Sequence, residues 1–396
     1  MNVLYEISEQ LIERVPETTI RNAMSWLHES GRFVGIKGGR GVGKTTLLLQ
    51  YAKRYLHDRK KLYVSLDDIE FSNRSLVSLA DEFVKLGGEY LLLDEVHSYA
   101  NWAQEIKNLH DRYPDLQVLF TGSSMLQLNE GTHDLSRRAA FYELQGLSLR
   151  EYIQFSTGIE FSTVTLTDIF EHHEALARGI WKKIKPLQYF NEYLRGGYYP
   201  FYFEHKPTYE IRLRETITKV IESDLLIATG ISADNMKKVK LLLHIISQSV
   251  PFQPNIDKLA ERMGIGKNTL KDYFRYLEIA GLTRSLFTQK KGVTRLTKPE
   301  KVYLRHPNLM YSLNPADVNM GSARESFLLS QLPEKHEVHY PEKGDFLIDR
   351  TFLIEVGGKN KTSAQLGDVP NGWIAADGIE AGAGNRIPLW LFGFLY

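Results

Sequence analysis

One stretch constrains this chain more than any other: Phe33-Val34-Gly35-Ile36-Lys37-Gly38-Gly39-Arg40-Gly41-Val42-Gly43-Lys44-Thr45-Thr46, continuing as Leu47-Leu48-Leu49-Gln50-Tyr51-Ala52. An apolar run meets Gly-x-x-x-x-Gly-Lys-Thr and then a second apolar run, the order strand, glycine-rich loop, helix. Glycines let successive N–H groups curl inward around an anion without a Cβ clash. The helix that follows adds its unpaired N–H groups and the positive end of its dipole. Such a loop suits the phosphates of ATP, cradled by Gly38, Gly39, Arg40, Gly41, Val42, Gly43, Lys44, Thr45 and Thr46. The Lys44 ammonium would reach the β- and γ-phosphates and the Thr45 hydroxyl would ligate Mg²⁺. With background glycine at about 7%, four fixed positions coincide in roughly one chain in a hundred, and the flanking strand and helix patterns lower that further.

A second signal gives the loop a partner. After Gly87-Gly88 comes Glu89-Tyr90-Leu91-Leu92-Leu93-Asp94-Glu95. Its consecutive apolar residues predict a strand covered on both faces in a parallel sheet. Asp94 then stands at the carboxyl end, where open α/β sheets bind ligands. Two acids at a strand end are ordinarily just solvated. Behind a phosphate loop they read as a hydrolytic pair, Asp94 holding Mg²⁺ and Glu95 polarising the attacking water. A helix over about Trp102 to Arg112 precedes a strand, Gln117-Val118-Leu119-Phe120, ending in Thr121-Gly122-Ser123-Ser124. Thr121 and Ser123 are candidates to touch the γ-phosphate or the water, and Ser123 equally suits a helix N-cap. Arg137-Arg138 precedes another short strand. Either the pair makes surface salt bridges or one arginine reaches a nucleotide on a neighbouring subunit.

These strands alternate with helices, which predicts an α/β core with a parallel sheet, of the P-loop type, over residues 1–150. The remaining length, out of 396 residues, calls for further domains. Residues 151–240 are helical and rich in aromatics, interrupted by Gly196-Gly197-Tyr198-Tyr199-Pro200, and read as a helical lid. Residues 241–312 contain two amphipathic helices around Gly264-Ile265-Gly266, a helix-turn-helix with a wing to follow. There Lys267, Asn268, Lys271 and the wing residues Lys290, Lys291, Arg295, Lys298 and Lys301 are candidates to touch DNA phosphates. Packing between subdomains is the other use of such a module. Residues 313–396 present Asp345 and Glu355 on two strands, with Glu325 before them and Lys359 after. The two carboxylates could hold a second metal ion.

Composition excludes other classes. A formal net charge of +1 gives no whole-chain attraction to nucleic acid or membrane, so any such surface is local. The absence of cysteine removes disulfides, thiolate zinc sites and thiol catalysis. His336-Glu337-Val338-His339 lacks the zinc-protease spacing. No apolar run is long enough to cross a membrane, and Met1–Glu6 does not open like a signal peptide. A cytoplasmic location is expected.

In motif order the chain resembles a prokaryotic family of AAA-type predicted ATPases with a winged-helix segment and a restriction-endonuclease-like C-terminal domain. The resemblance runs nearly end to end. It is carried by Gly38–Thr46, Leu92-Leu93-Asp94-Glu95-Val96-His97 with Trp102, Thr121-Gly122-Ser123-Ser124, Leu135-Ser136-Arg137-Arg138 and Leu147-Ser148-Leu149-Arg150-Glu151-Tyr152. Gly196-Gly197-Tyr198-Tyr199-Pro200, Asn268-Thr269-Leu270, Lys301-Val302-Tyr303 and Glu355-Val356-Gly357-Gly358-Lys359 complete it. It implies Mg²⁺-dependent ATP hydrolysis driving a conformational cycle, open to action on DNA. It also implies a homo-oligomer in which Arg138, matching the family arginine, is a finger acting in trans. The family's Glu-x-Lys is here Glu355-x-x-x-Lys359. Two alternatives are a nucleotide-gated protein-interaction switch and an ATP-regulated, metal-dependent nuclease.

Overall fold

The apolar run ahead of the glycine-rich loop becomes the strand around which the first unit is assembled. The computed structural model describes residues 1–123, 135, 137–288, 298–333, 335–362, 366 and 371–396. Ser124, Ser136, Lys290, Lys291 and Arg295 lie outside the described residues. The chain divides into two compact units, one of Met1–Gly146 with Lys219–Ser232, the other of Leu147–Thr218 with Ala233–Tyr396.

The first unit opens with α1 (Asn2–Arg14) and α2 (Ala23–His28). There follow β1 (Phe33–Gly38), α3 (Lys44–Tyr55), β2 (Lys61–Ser65), α4 (Leu76–Lys85), β3 (Tyr90–Asp94), α5 (Trp102–Arg112), β4 (Gln117–Ser123) and β5 (Ala140–Glu143). All five strands pair in parallel, in the order β2-β3-β4-β1-β5. Leu91, Leu92 and Leu93 are fully buried, as a strand covered on both faces requires. β4 lies between β1 and β3, with Gly38 opposite Ser123 and Leu93 opposite Phe120. That register brings the loop after β1, the acids after β3 and Thr121 of β4 to one edge of the sheet. The outer strand β2 is covered by α1, whose buried Ser8 hydroxyl accepts from the Tyr63 N–H at 2.9 Å. An otherwise unpaired edge donor is thereby satisfied.

The second unit begins with α6 (Leu149–Thr157), entered through a capping box in which Ser148 and Glu151 satisfy each other's N–H groups. Then come α7 (Leu166–Trp181), α8 (Pro186–Gly196) and α9 (Tyr209–Lys219), and, in the part of the chain that belongs to the first unit, α10 (Leu225–Thr229). α11 (Ala233–Ser247), α12 (Ile256–Met263) and α13 (Lys267–Ile279) follow. Gly264, at φ 60°, ends α12 in the left-handed region that glycine adopts without strain. β6 (Thr283–Leu286) and β7 (Lys301–Leu304) pair antiparallel.

After α14 (Pro307–Leu313) and α15 (Met320–Gln331) a mixed sheet forms from β8 (Val338–His339), β9 (Phe346–Ile348), β10 (Phe352–Gly357), β11 (Gly372–Ala376) and β12 (Arg386–Pro388), in chain order across the sheet. Its β8-β9-β10 part is antiparallel and its β10-β11-β12 part parallel. Phe190, Tyr193, Phe327, Phe346 and Trp390 anchor the core.

Asn308 ties this unit together. Fully buried, its amide donates to Tyr193 O (2.9 Å) and Leu194 O (2.8 Å), and its carbonyl accepts from Tyr198 N and Tyr209 OH, each at 2.9 Å. One side chain thus joins α8, the turn after it, α9 and α14. Gly197 in that turn has no alternative, since a Cβ there would lie 2.3 Å from Tyr193 Cδ2.

Candidate active site

The loop between β1 and α3 turns on two glycines in the left-handed region, Gly41 at φ 83° and Gly43 at φ 96°. Gly38 is small for a different reason. A Cβ there would lie 2.4 Å from Leu144 O. Arg21, which sequence reasoning did not single out, is buried and donates to Val42 O in the loop and to Gln145 O and Gly146 O, each at 3.0 Å. It fixes the loop to the chain leaving β5. Lys44 is 6% exposed and donates to Gly38 O and Gly39 O, each at 3.0 Å. Burial lowers its pKa, while Glu95, Asp94 and Asp224 pull it back up. A buried ammonium braced on loop carbonyls, at the start of a helix, is a donor set that fits a polyphosphate.

Asp94, 2% exposed, gathers the site. Its Oδ2 accepts from the Thr45 hydroxyl at 2.6 Å and from the Tyr63 hydroxyl at 2.9 Å. Its Oδ1 accepts from the Thr121 hydroxyl and from Glu95 N–H at 3.1 Å. Burial, then the Asp94 charge, pushes the Tyr63 phenol well above its ordinary range, so it stays a donor. The fit to Mg²⁺ rests on this chemistry, a hydroxyl and a carboxylate oxygen held together as a hard cation prefers.

Thr121, expected from the sequence to meet the γ-phosphate or the water, is engaged by the two acids. It is fully buried, its proton goes to Asp94, and its oxygen accepts from Glu95 N–H at 3.2 Å. It positions the acids. Ser123, the other candidate, is buried, and its N–H faces His97 Nδ1 at 3.3 Å.

Glu95 sits at φ 51°, unusual for a residue with a Cβ, and two acceptors hold its N–H there. Burial raises its carboxyl pKa, Lys44 opposes that, and the Asp94 charge adds to it. His97 Nδ1 lies 3.4 Å from Glu95 Oε2, and burial pushes the imidazole pKa down.

One more acid reaches the site from far along the chain. Asp224, 3% exposed, accepts from Arg40 Nη1 at 3.0 Å. It closes a π-helical turn, Val220–Asp224, just before α10. Burial raises its pKa, and Arg40, His97 and Lys44 oppose that. No motif marks Asp224, and only the fold reveals it.

Arg138 makes a two-pronged contact with Asp111 of α5, Nε to Oδ1 at 2.8 Å and Nη2 to Oδ2 at 3.0 Å. That pairing, then His110, lowers the Asp111 pKa to about 2. Arg138 precedes β5, whose first residue, Ala140, is opposite Val34 near the start of β1. It therefore stands at the sheet edge opposite the loop that follows Gly38.

The second unit holds its own acidic cluster. Glu325 Oε2 accepts from Tyr303 OH at 2.6 Å, and Lys301 Nζ lies 3.7 Å from Glu325 and 3.9 Å from Asp345. Asp345 Oδ2 accepts from Val356 N at 2.8 Å. Glu355, 2% exposed, accepts from Lys361 at 2.5 Å, and its buried Oε2 has no hydrogen-bond partner among the described residues. Burial is the first cause raising both the Glu325 and the Glu355 pKa. The lysine differs from the one expected. Lys359 is exposed, and the turn closed by Lys361 N to Gly358 O (3.0 Å) brings Lys361 back onto Glu355. The second metal site expected at Asp345 and Glu355 does not form a ready cage. Among the described residues no three His, Cys, Asp or Glu side chains converge to hold a metal ion. Lys301 and Lys361 occupy the cationic places beside these acids.

Residues 30–153 match the family described as AAA domain. The first unit carries an AAA-type P-loop core. Residues 187–319, which include Asn308, match a domain of unknown function, DUF8612. None of the curated proteins matches. Similar solved structures include one reported as "Structural Basis for Katanin Self-Assembly", 14% identical, covering 49% of this chain and 73% of that one. Another is AMPPCP-bound DnaA from Aquifex aeolicus, 13% identical, covering 70% and 87%. Both have a TM-score of 0.25, a likeness too low to bear on function. Among the described residues no helix is long and apolar enough to cross a membrane.

Proposed function

We propose that this protein binds Mg²⁺-ATP at the Gly38–Thr46 loop and hydrolyses it, and that the cycle drives a conformational change. The observation that carries this reading is the 2.6 Å hydrogen bond from Thr45 to Asp94. Two sequence-distant motifs deliver adjacent oxygen ligands to one point. Bound Mg²⁺ would supply charge neutralisation at the phosphates. Lys44 binds phosphate, Asp94 and Thr45 hold the cation, and Glu95 takes a proton from water. A carboxyl raised by burial is a stronger base than a solvated glutamate. Arg138 serves a neighbouring subunit, since in its own chain it stands at the far sheet edge, and the protein therefore works as a homo-oligomer. Lys44→Ala should abolish ATP binding measured by equilibrium titration. Binding equal to wild type would defeat the proposal.

We assign residues 151–240 as a helical lid, 241–312 as a winged helix and 313–396 as a restriction-endonuclease-like domain. DNA contact through Lys267, Asn268 and Lys271 is the proposed use of α13, although Lys267 is already ion-paired with Asp257. The cluster of Glu325, Asp345, Lys361 and the buried Glu355 favours a second reading, an ATP-regulated nuclease. DNA left intact with Mg²⁺ or Mn²⁺, or cut equally well by Asp345→Ala, removes it. A basal ATPase rate indifferent to DNA but raised by a protein partner favours a nucleotide-gated switch instead.

A further inference from the structure

Arg40 stands on the loop that would hold the phosphates, yet its guanidinium is bound to an acid 184 positions away in the chain. Asp224 is 3% exposed and Arg40 is 35% exposed at the side chain, so the pair is shielded on one side only. The acid is buried, and other charged groups surround it. Arg40, His97 and Lys44 face it with positive or polarisable groups, and Glu95 faces it with a like charge. A carboxylate buried among groups that serve a polyphosphate is costly unless it is used. Its backbone is also unusual. Val220–Asp224 is a π-helical turn, a rare form concentrated at functional sites. α10, which comes next in the chain, packs on the Val96–Ser98 turn directly after Glu95. The segment Lys219–Ser232 thus touches both halves of the site, the loop through Arg40 and the hydrolytic acid through its turn. It belongs to the first unit, and both of its ends run on into the second, as α9 and α11.

We propose that Asp224 competes with bound nucleotide phosphate for Arg40, so that triphosphate binding frees the Lys219–Ser232 segment and passes the nucleotide state along the chain to α9 and α11. The inference rests on the loop being a nucleotide site. Arg40 has two anionic claimants, a single carboxylate and the multiply charged phosphates beside it. Guanidinium binds phosphate in two-pronged fashion at least as well as carboxylate. When the phosphates take Arg40, Asp224 is left buried without its cation and close to new negative charge. The segment that carries it then loosens.

The test uses the full chain with Mg²⁺ and ATPγS. Asp224→Asn keeps the shape and removes the competing charge, so it should bind ATPγS about fivefold more tightly, the upper worth of one partly exposed ion pair. In an Arg40→Ala background that gain should fall to about twofold or less, because the competition has lost its object. A merely structural Asp224 would not produce that dependence. In the wild type, ATPγS should speed amide hydrogen exchange across 219–232. Weaker binding by Asp224→Asn, an equal gain with and without Arg40, or exchange in 219–232 that is unchanged or slowed by ATPγS each overturns the proposal. If wild type and Lys44→Ala bind ATPγS equally, the nucleotide site itself is refuted and this inference falls with it. Binding that is lost in Lys44→Ala but insensitive to Asp224→Asn refutes this inference alone.

Discussion

Thr121→Val probes the site through a side chain that would touch no nucleotide. Valine keeps the shape and deletes the hydroxyl. That hydroxyl donates to Asp94 Oδ1 and accepts from Glu95 N–H at 3.2 Å. A hydrogen bond to a carboxylate is worth about 1.5–3 kcal/mol. The Glu95 N–H keeps its other acceptor, Asp94 Oδ1 at 3.1 Å, so the second loss is the smaller one. Together they predict about 2 kcal/mol of lost stability, read as a shift in the urea midpoint at constant slope. The catalytic cost is larger. Glu95 is held at φ 51°, a left-handed conformation that costs about 1–2 kcal/mol, and Thr121 supplies part of what holds it. Misplacing a catalytic group by about 1 Å can cost a factor of about 100. The expected result is a kcat for ATP lower by about 30- to 100-fold with KM changed less than about threefold, and recovery in Thr121→Ser. A Thr121→Val enzyme with wild-type kcat would refute the claim that Thr121 positions the acids.

Three other outcomes rest on named contacts. Asn308→Ala leaves four buried partners without their bond, so at about 1–3 kcal/mol each, partly relieved by relaxation, it should destabilise the protein by about 3–4 kcal/mol in chemical denaturation. Hydrolysis needs Glu95 ionised and burial raises its pKa, so activity should be present above that raised pKa and lost as pH falls through it. The acid limb of the kcat profile should then lie above the ordinary glutamate value of about 4.3, and a limb at or below that value contradicts the assignment. Arg138→Ala should bind ATP and fail to hydrolyse it, with activity recovering when it is mixed with Lys44→Ala. No recovery on mixing argues against an arginine supplied in trans.

The part of the site that lies within short motifs was legible before the fold. Gly38–Thr46 and Asp94-Glu95 announce themselves because phosphate and metal binding demand particular residues at fixed spacing. The leucines of β3 show the doubly covered strand that carries the acids. Thr121 was singled out, but its bond to Asp94 was not foreseen, because a strand position says nothing about which side chain will claim its hydroxyl. Arg21, Asp224 and Asn308 were invisible for a related reason. Each acts through partners far away in sequence, Arg21 on Gln145 and Gly146, Asp224 on Arg40, and Asn308 on Tyr193 and Leu194. Nothing in their local pattern distinguishes them from surface polar residues. The lysine beside Glu355 was misread by two positions, because the turn after Gly357 returns Lys361 rather than Lys359 to the carboxylate.

The most direct test of the account is a single-turnover measurement of Mg²⁺-ATP on the Glu95→Gln protein. Glutamine preserves the size and the N–H contacts and removes the base. The account predicts ATP binding within about threefold of wild type and no detectable phosphate release over many wild-type turnovers. Phosphate release at the wild-type rate would contradict it.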